Sequence, residues 1–231
     1  MSPARTDRKP PSPRGRSRER LLEAATTLFA RKGYDGVSVD AIVNEAGLNK
    51  RMVYHYFGSK EGLYVAVLGN AFDRIAGMEA RIFDDNPPAD VALERIVHGY
   101  FRFLLENPEF PALLSWENLQ GGRHLGAFSF TKAPILDALG RVITQGIASG
   151  EIRPEIDRRH MLIHLIGICL IYFSNRHTLS RTVGLALDDP QVMREGIAQA
   201  VSLIKHGFFR RGDGAGKGES GVASGRRAGP E

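Results

Sequence analysis

The sequence predicts an all-α protein. A small three-helix domain with a helix-turn-helix comes first, and a larger helical domain follows, with about nine helices in all. Three observations predict this. Apolar residues recur at three- and four-residue steps over most of the chain. Residues 18–63 divide into three short helical patterns, with a glycine turn before the third. No convincing alternating strand pattern and no repeat of 20–50 residues is evident. Apolar residues make up 42% of 231 positions, enough for a sizeable core.

The elements follow in order. Residues 1–16 are rich in Pro, Arg and Ser and are expected to be a disordered basic arm. Leu21, Leu22, Ala25, Leu28 and Phe29 make the apolar face of a first helix, which Gly33 ends. Ser38 caps a second helix, with Ala41, Ile42 and Ala46 inward. Gly47 permits a tight turn into a third. Ser59, Lys60 and Glu61 open a long helix carrying Leu63, Val67, Phe72, Ile75 and Met78. The string D-D-N-P-P (84–88) breaks it. Helices are expected at about 89–106, 109–120, 133–149, 155–179 and 189–209. Pro108 and Pro134 suit first turns, Gly150 suits a C-cap, and Asp188-Asp189-Pro190 suits a helix start. The domains are therefore expected at 17–63 and 64–210, with a disordered, glycine-rich tail at 211–231.

Charge is unevenly placed. Residues 1–20 hold seven Lys/Arg against two acids, and residues 210–231 hold five against three. The remainder holds 19 against 21, so the net charge of +5 sits in the two ends. A basic arm beside a helix-turn-helix favours phosphate. Cys169 is the single cysteine, so no disulfide framework forms within one chain, which fits a reducing cytoplasm. The first 20 residues do not resemble a signal peptide. The apolar run 161–173 contains His164 and is too short to span a bilayer, which takes ~20 residues, so no membrane partner is expected.

The third helix carries the chemistry. On a helical wheel begun at Lys50, Arg51 lies ~100° away and Tyr54 ~40°. These three share a face, His55 is at its margin, and Met52 and Val53 point back toward the first two helices. Arg and Lys suit guanine edges, and Tyr suits a phosphate or a thymine methyl. Asn49 begins the helix, where it can cap or reach a base. Double-stranded DNA is the expected partner. Arg14, Arg16 and Arg18 adjoin the first helix and could enter a flanking minor groove.

The stretch A-G-L-N-K-R-M-V-Y-H-Y-F-G-S-K-E-G-L (46–63), with Ser38-Val39-Asp40-Ala41-Ile42-Val43 upstream, resembles the TetR family of bacterial transcriptional regulators. The motif covers about residues 18–65. The resemblance implies a homodimer that binds a palindromic operator, usually as a repressor, and releases it when a small ligand enters the C-terminal domain. It carries phosphate contacts onto Ser38, Tyr54, Tyr56 and Lys60. The wheel turns Tyr56 away from the reading face. Arg51 stands where the family has a small glycine, so operator preference is not copied from relatives. The helices at about 155–179 and 189–209 are the expected dimer surface. The run 161–173 is apolar on all sides and needs partners on more than one face.

The segment 113–124 concentrates Trp116, Glu117, Asn118 and His124 among apolar residues, as a ligand pocket requires. His160, His164, Tyr172, Asn175 and Arg176 on the long late helix are expected to converge there. A small organic effector, aromatic or amphipathic, suits a pocket walled by Trp, Phe and Tyr. No Gly-x-Ser-x-Gly, His-Glu-x-x-His, Cys-x-x-Cys or Walker sequence is present, so no enzyme and no cofactor is expected. The G-D-G-A-G-K-G string in the tail lacks the strand and the Ser/Thr of a phosphate loop. His160 and His164 have metal-pair spacing but no recognisable third ligand, so no metal site is expected. An architectural DNA-binding protein without an effector is the alternative, and the large C-terminal domain argues against it.

Overall fold

A computed structural model describes residues 13–127 and 132–210, with the side chains of residues 13 and 14 excepted. The expectations placed on residues 1–12 and 211–231 lie outside the described residues. Among those described there are ten α-helices and no strand, with one isolated antiparallel bridge between Ile152 and Phe209.

The reading head is built from α1 (Pro13–Lys32), α2 (Val39–Ala46), α3 (Lys50–Phe57) and the start of α4 (Lys60–Ile82). Leu21, Ala25, Phe29, Ile42, Val53 and Leu63 form its core and are fully buried. Side-chain caps set the helix starts of the head, where the short α2 and α3 would not hold by propensity alone. Ser38 Oγ accepts from the Ala41 N–H at 3.1 Å, and Ser59 Oγ accepts from the Gly62 N–H at 2.9 Å. Gly47 takes the left-handed conformation at φ +59°, and its N–H reaches the Asn44 carbonyl. Leu48 N–H then takes the Val43 carbonyl at 2.9 Å, closing the turn before α3.

The first helix corrects one boundary. It begins at Pro13, as a first-turn proline allows. Arg14, Arg16 and Arg18 therefore stand on α1 itself and not on an arm beside it. The division expected after Leu63 also falls inside an unbroken helix. Leu63, Tyr64, Val67 and Leu68 of α4 belong to the head core, whereas Phe72, Ile75, Met78 and Ile82 belong to the body core.

The body comprises the rest of α4 with α5 (Ala89–Glu106), α6 (Glu109–Leu119), a 3-10 turn (Leu125–Ala127), α7 (Ala133–Ala148), α8 (Arg158–Ser174), α9 (Arg176–Thr182) and α10 (Pro190–Phe208). The helix expected over 155–179 is two helices. Asp157 Oδ1 caps α8 through the Arg159 and His160 N–H groups, and the chain leaves the helical region at Asn175 (φ −111°, ψ 14°). Helix α5 is the central body element, with Ile96, Val97 and Phe101 fully buried. Lys205 of α10 pairs with Glu94 of α5 at 2.6 Å and fixes the last helix against it.

Candidate nucleic-acid interface

Helix α3 is anchored by Val53, which is fully buried in the head, and by half-buried Met52. That anchoring turns Lys50, Arg51, Tyr54 and His55 outward, all exposed, as the wheel predicts. Arg51, in the first turn of α3, and Tyr54, at its middle, lie on the exposed face, Tyr54 with half its surface open. His55 is exposed and rests edge-on against the Tyr56 ring at 4.9 Å. Asn49 has a definite task here: its Oδ1 accepts from the Arg51 N–H at 2.9 Å, which caps α3. Its amide N–H groups take no part in the cap.

Lys50 is not simply free. Its Nζ sits 3.0 Å from Oδ1 and 3.0 Å from Oδ2 of Asp40 on α2. The hydrogen bond to Asp40, and then its charge, hold the ammonium above the usual lysine range. Both groups are exposed, so the pair positions the side chain more than it stabilises the fold. Asp40 was not among the residues that the sequence singled out. Its signal was a first-turn acid of α2, which reads as a helix-start preference and conceals a partner ten residues on.

The phosphate set implied by resemblance is placed as follows. Ser38 is exposed, and its hydroxyl proton is not used by the cap. Tyr56 is half-buried against the head core, turned from Arg51 and Tyr54. Lys60 opens α4, and its Nζ lies over the Tyr34 ring at 4.2 Å. Arg16 is exposed on α1. Arg18 lies over the Phe57 ring at 5.2 Å, and so backs the end of α3 and does not reach outward as an extended arm. Arg14's side chain lies outside what is described.

The residues expected to line an effector pocket do not converge. Trp116, Glu117 and His124 face the head. Trp116 Nε1–H donates to the Ala30 carbonyl at 3.2 Å, and its ring lies against Gly33. Glu117 is fully buried. Its Oε2 accepts from the His124 backbone N–H at 3.1 Å, and its Oε1 lies 2.8 Å from His124 Nδ1. The imidazole sits between the rings of Tyr34 and Tyr64, each at 4.9 Å. Burial, and then the Glu117 charge, push the Tyr64 hydroxyl far above its usual range. Asn118 is exposed. His164 is exposed on α8, and Asn175 and Arg176 are exposed at the break after it. Tyr172 packs between Phe101 of α5 and Gly196 of α10. A polar residue in an apolar stretch reveals that it is buried, but not which element covers it. That is why the expectation misdirects these side chains.

The body holds a different buried polar cluster. Glu79 of α4 is only 5% exposed. Its Oε1 accepts from the Tyr100 O–H at 2.5 Å and is also paired with Lys132 Nζ. Burial and the Glu79 charge push the Tyr100 hydroxyl far up. Glu79 lies on the inward stripe of α4, four residues after Ile75 and three before Ile82. That spacing was the legible signal. Among the described residues no group of three or more His, Cys, Asp or Glu could hold a metal ion. No described helix is long and apolar enough to cross a membrane.

Comparison with known proteins agrees with this geometry. Residues 21–67 match the family described as bacterial regulatory proteins, tetR family, and residues 90–204 match the tetracyclin repressor-like C-terminal domain. The chain is 32% identical over 198 residues to the HTH-type transcriptional repressor NicS of Pseudomonas putida, covering 84% of this chain and 93% of that one. It is 25% identical over 193 residues to the HTH-type transcriptional regulator RutR of Escherichia coli, covering 83% and 90%. Among solved structures, a putative transcriptional regulator from Streptomyces coelicolor superposes with a TM-score of 0.66 at 25% identity, over 83% of this chain and 98% of that one. FadR of Bacillus subtilis, solved in complex with stearoyl-CoA, superposes with a TM-score of 0.61 at 20% identity, over 82% and 98%.

Proposed function

Because the chain belongs to the TetR family of bacterial transcriptional regulators, we propose that it represses transcription as a homodimer on a palindromic operator and that a small organic effector releases it. The observation that carries the reading is α3. A fully buried Val53 fixes its back, while Lys50, Arg51, Tyr54 and His55 present donors on its open face. Ser38, Lys60 and the exposed basic residues of α1 supply phosphate contacts around it.

The homodimer rests on an exposed apolar stripe. Ile163 and Ile171 of α8 are open to solvent, with Gly167 between them at four-residue steps. Leu203 of α10 is 64% exposed. Apolar groups of this size, left open on the two late helices, call for a second copy. The effector rests on the Glu79–Tyr100–Lys132 cluster. A carboxylate among apolar helices reads a polar group on a ligand better than it stabilises a core.

The test is selection of bound DNA from a random pool by purified protein, with the enriched sites sequenced. A palindrome with half-sites about one helical turn apart, roughly 34–36 Å, is expected. An unselective pool would sink the operator reading.

A further inference from the structure

Helices α4 and α5, with Ile197 of α10 at one side, line a groove in the body. It consists of two hollows of about 420 Å³ and 470 Å³ that share Met78, Arg81, Gly99 and Arg102. Volumes of this size suit small molecules. Buried Met78 and Ile82 give it an apolar floor. At Gly99 a Cβ would meet Met78 Sδ at 2.9 Å, so glycine is what lets the helices approach there.

Three arginines converge on this groove. Arg74 and Arg81 lie two turns apart on α4, and Arg102 enters from α5. Among the described residues none of the three makes an ion pair or a side-chain hydrogen bond. Arg95, at one end, is already held by Asp85 at 2.5 and 3.0 Å. Asp73 and Glu106 line the other end, yet neither pairs with the arginines. Three exposed guanidinium groups thus line one concave surface with their donors open to a bidentate anion. A second observation is independent of charge. Asn107 lines the groove and is 94% buried (6% exposed). Its Nδ2–H donates to the Phe103 carbonyl at 2.6 Å, but its buried Oδ1 accepts nothing.

We propose that this groove binds a small organic anion. A phosphate ester or carboxylate is held by Arg81 and Arg102, with Arg74 beside them, and a hydroxyl or amino group of the same molecule donates to Asn107 Oδ1. The size of the groove, its apolar floor and the orphan acceptor favour a small molecule over nucleic acid. The site is distinct from Glu79 and does not depend on the operator reading.

Calorimetric titration of the full chain at fixed ionic strength tests it. The probes are inorganic pyrophosphate, citrate and glucose 6-phosphate. Saturable binding of at least one is expected, and which one binds separates the phosphate from the carboxylate source. In the Arg81→Gln/Arg102→Gln variant, affinity should fall at least tenfold, as charge-assisted contacts require. Both arginines are exposed, so thermal unfolding should be unchanged. Gly77→Leu fills the groove from a helical position whose Cβ meets only the far end of Arg81, at 3.8 Å. It should abolish binding while leaving the fold as stable or more so. No saturable heat from any probe overturns the proposal, as does an equal isotherm in wild type and both variants. So does a result in which the double variant loses affinity for random duplex DNA and for none of the small anions.

Discussion

Glu117 joins the body to the reading head, and replacing it by alanine tests that role. The side chain is fully buried. Its two oxygens accept from the His124 backbone N–H at 3.1 Å and meet Nδ1 at 2.8 Å. Alanine leaves both His124 groups without a partner in a site closed by Tyr34 and Tyr64. Each stranded buried donor costs ~1–3 kcal/mol, so the loss is ~2–6 kcal/mol, centred near ~4 kcal/mol. For a chain of this size, 1 kcal/mol moves Tm by ~2–4 °C, so the midpoint should fall by ~8–16 °C. Glu117→Gln keeps one acceptor and should lose about half as much. In Glu117→Leu/His124→Leu the imidazole is gone with its partner and only the His124 N–H is stranded. That double variant should therefore be more stable than Glu117→Ala, by ~1–2 kcal/mol. Circular dichroism at 222 nm against temperature reads all three. A midpoint for Glu117→Ala within 2 °C of wild type would refute the reasoning. If stability is kept while effector response is lost, Glu117 is a ligand contact after all, as the sequence alone suggests.

Four further outcomes follow from named contacts. Arg51→Ala should relax operator choice at one or two positions, costing roughly 1–3 kcal/mol on the selected site; equal weakening on random duplex would make it a phosphate contact. Asp40→Asn removes the partner of Lys50 and should change which bases are preferred, in a repeat of the pool selection, while leaving Tm unchanged; an identical motif would show that Lys50 reads no base. Gly33→Ala meets two penalties, a left-handed φ of +68° and a Cβ 2.9 Å from the Trp116 ring. It should cost at least ~1–2 kcal/mol, and a neutral urea midpoint would mean that the head–body junction yields freely. Burial pushes the Cys169 thiol up to about 12, so Ellman's reagent at pH 8 should label it only at the rate of unfolding; prompt labelling of folded protein would show that the body core opens on its own.

Much of the head is legible in the sequence because its signals are local. Ser38, Ser59 and Gly47 act within a turn of where they stand, and caps and left-handed residues are chosen by neighbours, not by tertiary partners. Val53 inward with Lys50, Arg51 and Tyr54 outward follows from the helical period alone. The body is less legible because its signals depend on pairing. Trp116 and Glu117 advertise burial, but the surfaces that bury them are Gly33, Tyr34 and Tyr64, far away in the chain. Arg74, Arg81 and Arg102 read as solvated charges until α4 and α5 are laid side by side. The late helix reads as continuous because residues 170–180 contain no Pro or Gly, and the break at Asn175 leaves no strong local mark. Glu79 could have been found, since a charge on the inward stripe of a long amphipathic helix is anomalous without any knowledge of its partners.

The two halves of α4 give a direct path from the body to the head. The helix carries Leu63, Tyr64, Val67 and Leu68 in the head core and Phe72, Ile75, Met78 and Ile82 in the body core, with no break between them. A helix rises ~1.5 Å per residue, so Glu79 stands ~28 Å along the helix from Lys60. A tilt of only ~5° about the Glu79 end therefore displaces the start of α4 by ~2.5 Å, a distance comparable with a hydrogen bond. Lys60, at that start, would move with it, and α3 is packed on the same end through Val53 and Leu63. A second strut opposes independent motion, since Trp116 holds α1 at Ala30 and Glu117–His124 lies against Tyr34 and Tyr64. The head is thus attached to the body at two places on different helices. If an effector releases the operator as proposed, both attachments must shift together. A variant that weakens only the α6 strut, such as Trp116→Ala, should then loosen the coupling between effector and operator while α4 and the remaining Glu117–His124 contacts still carry the head.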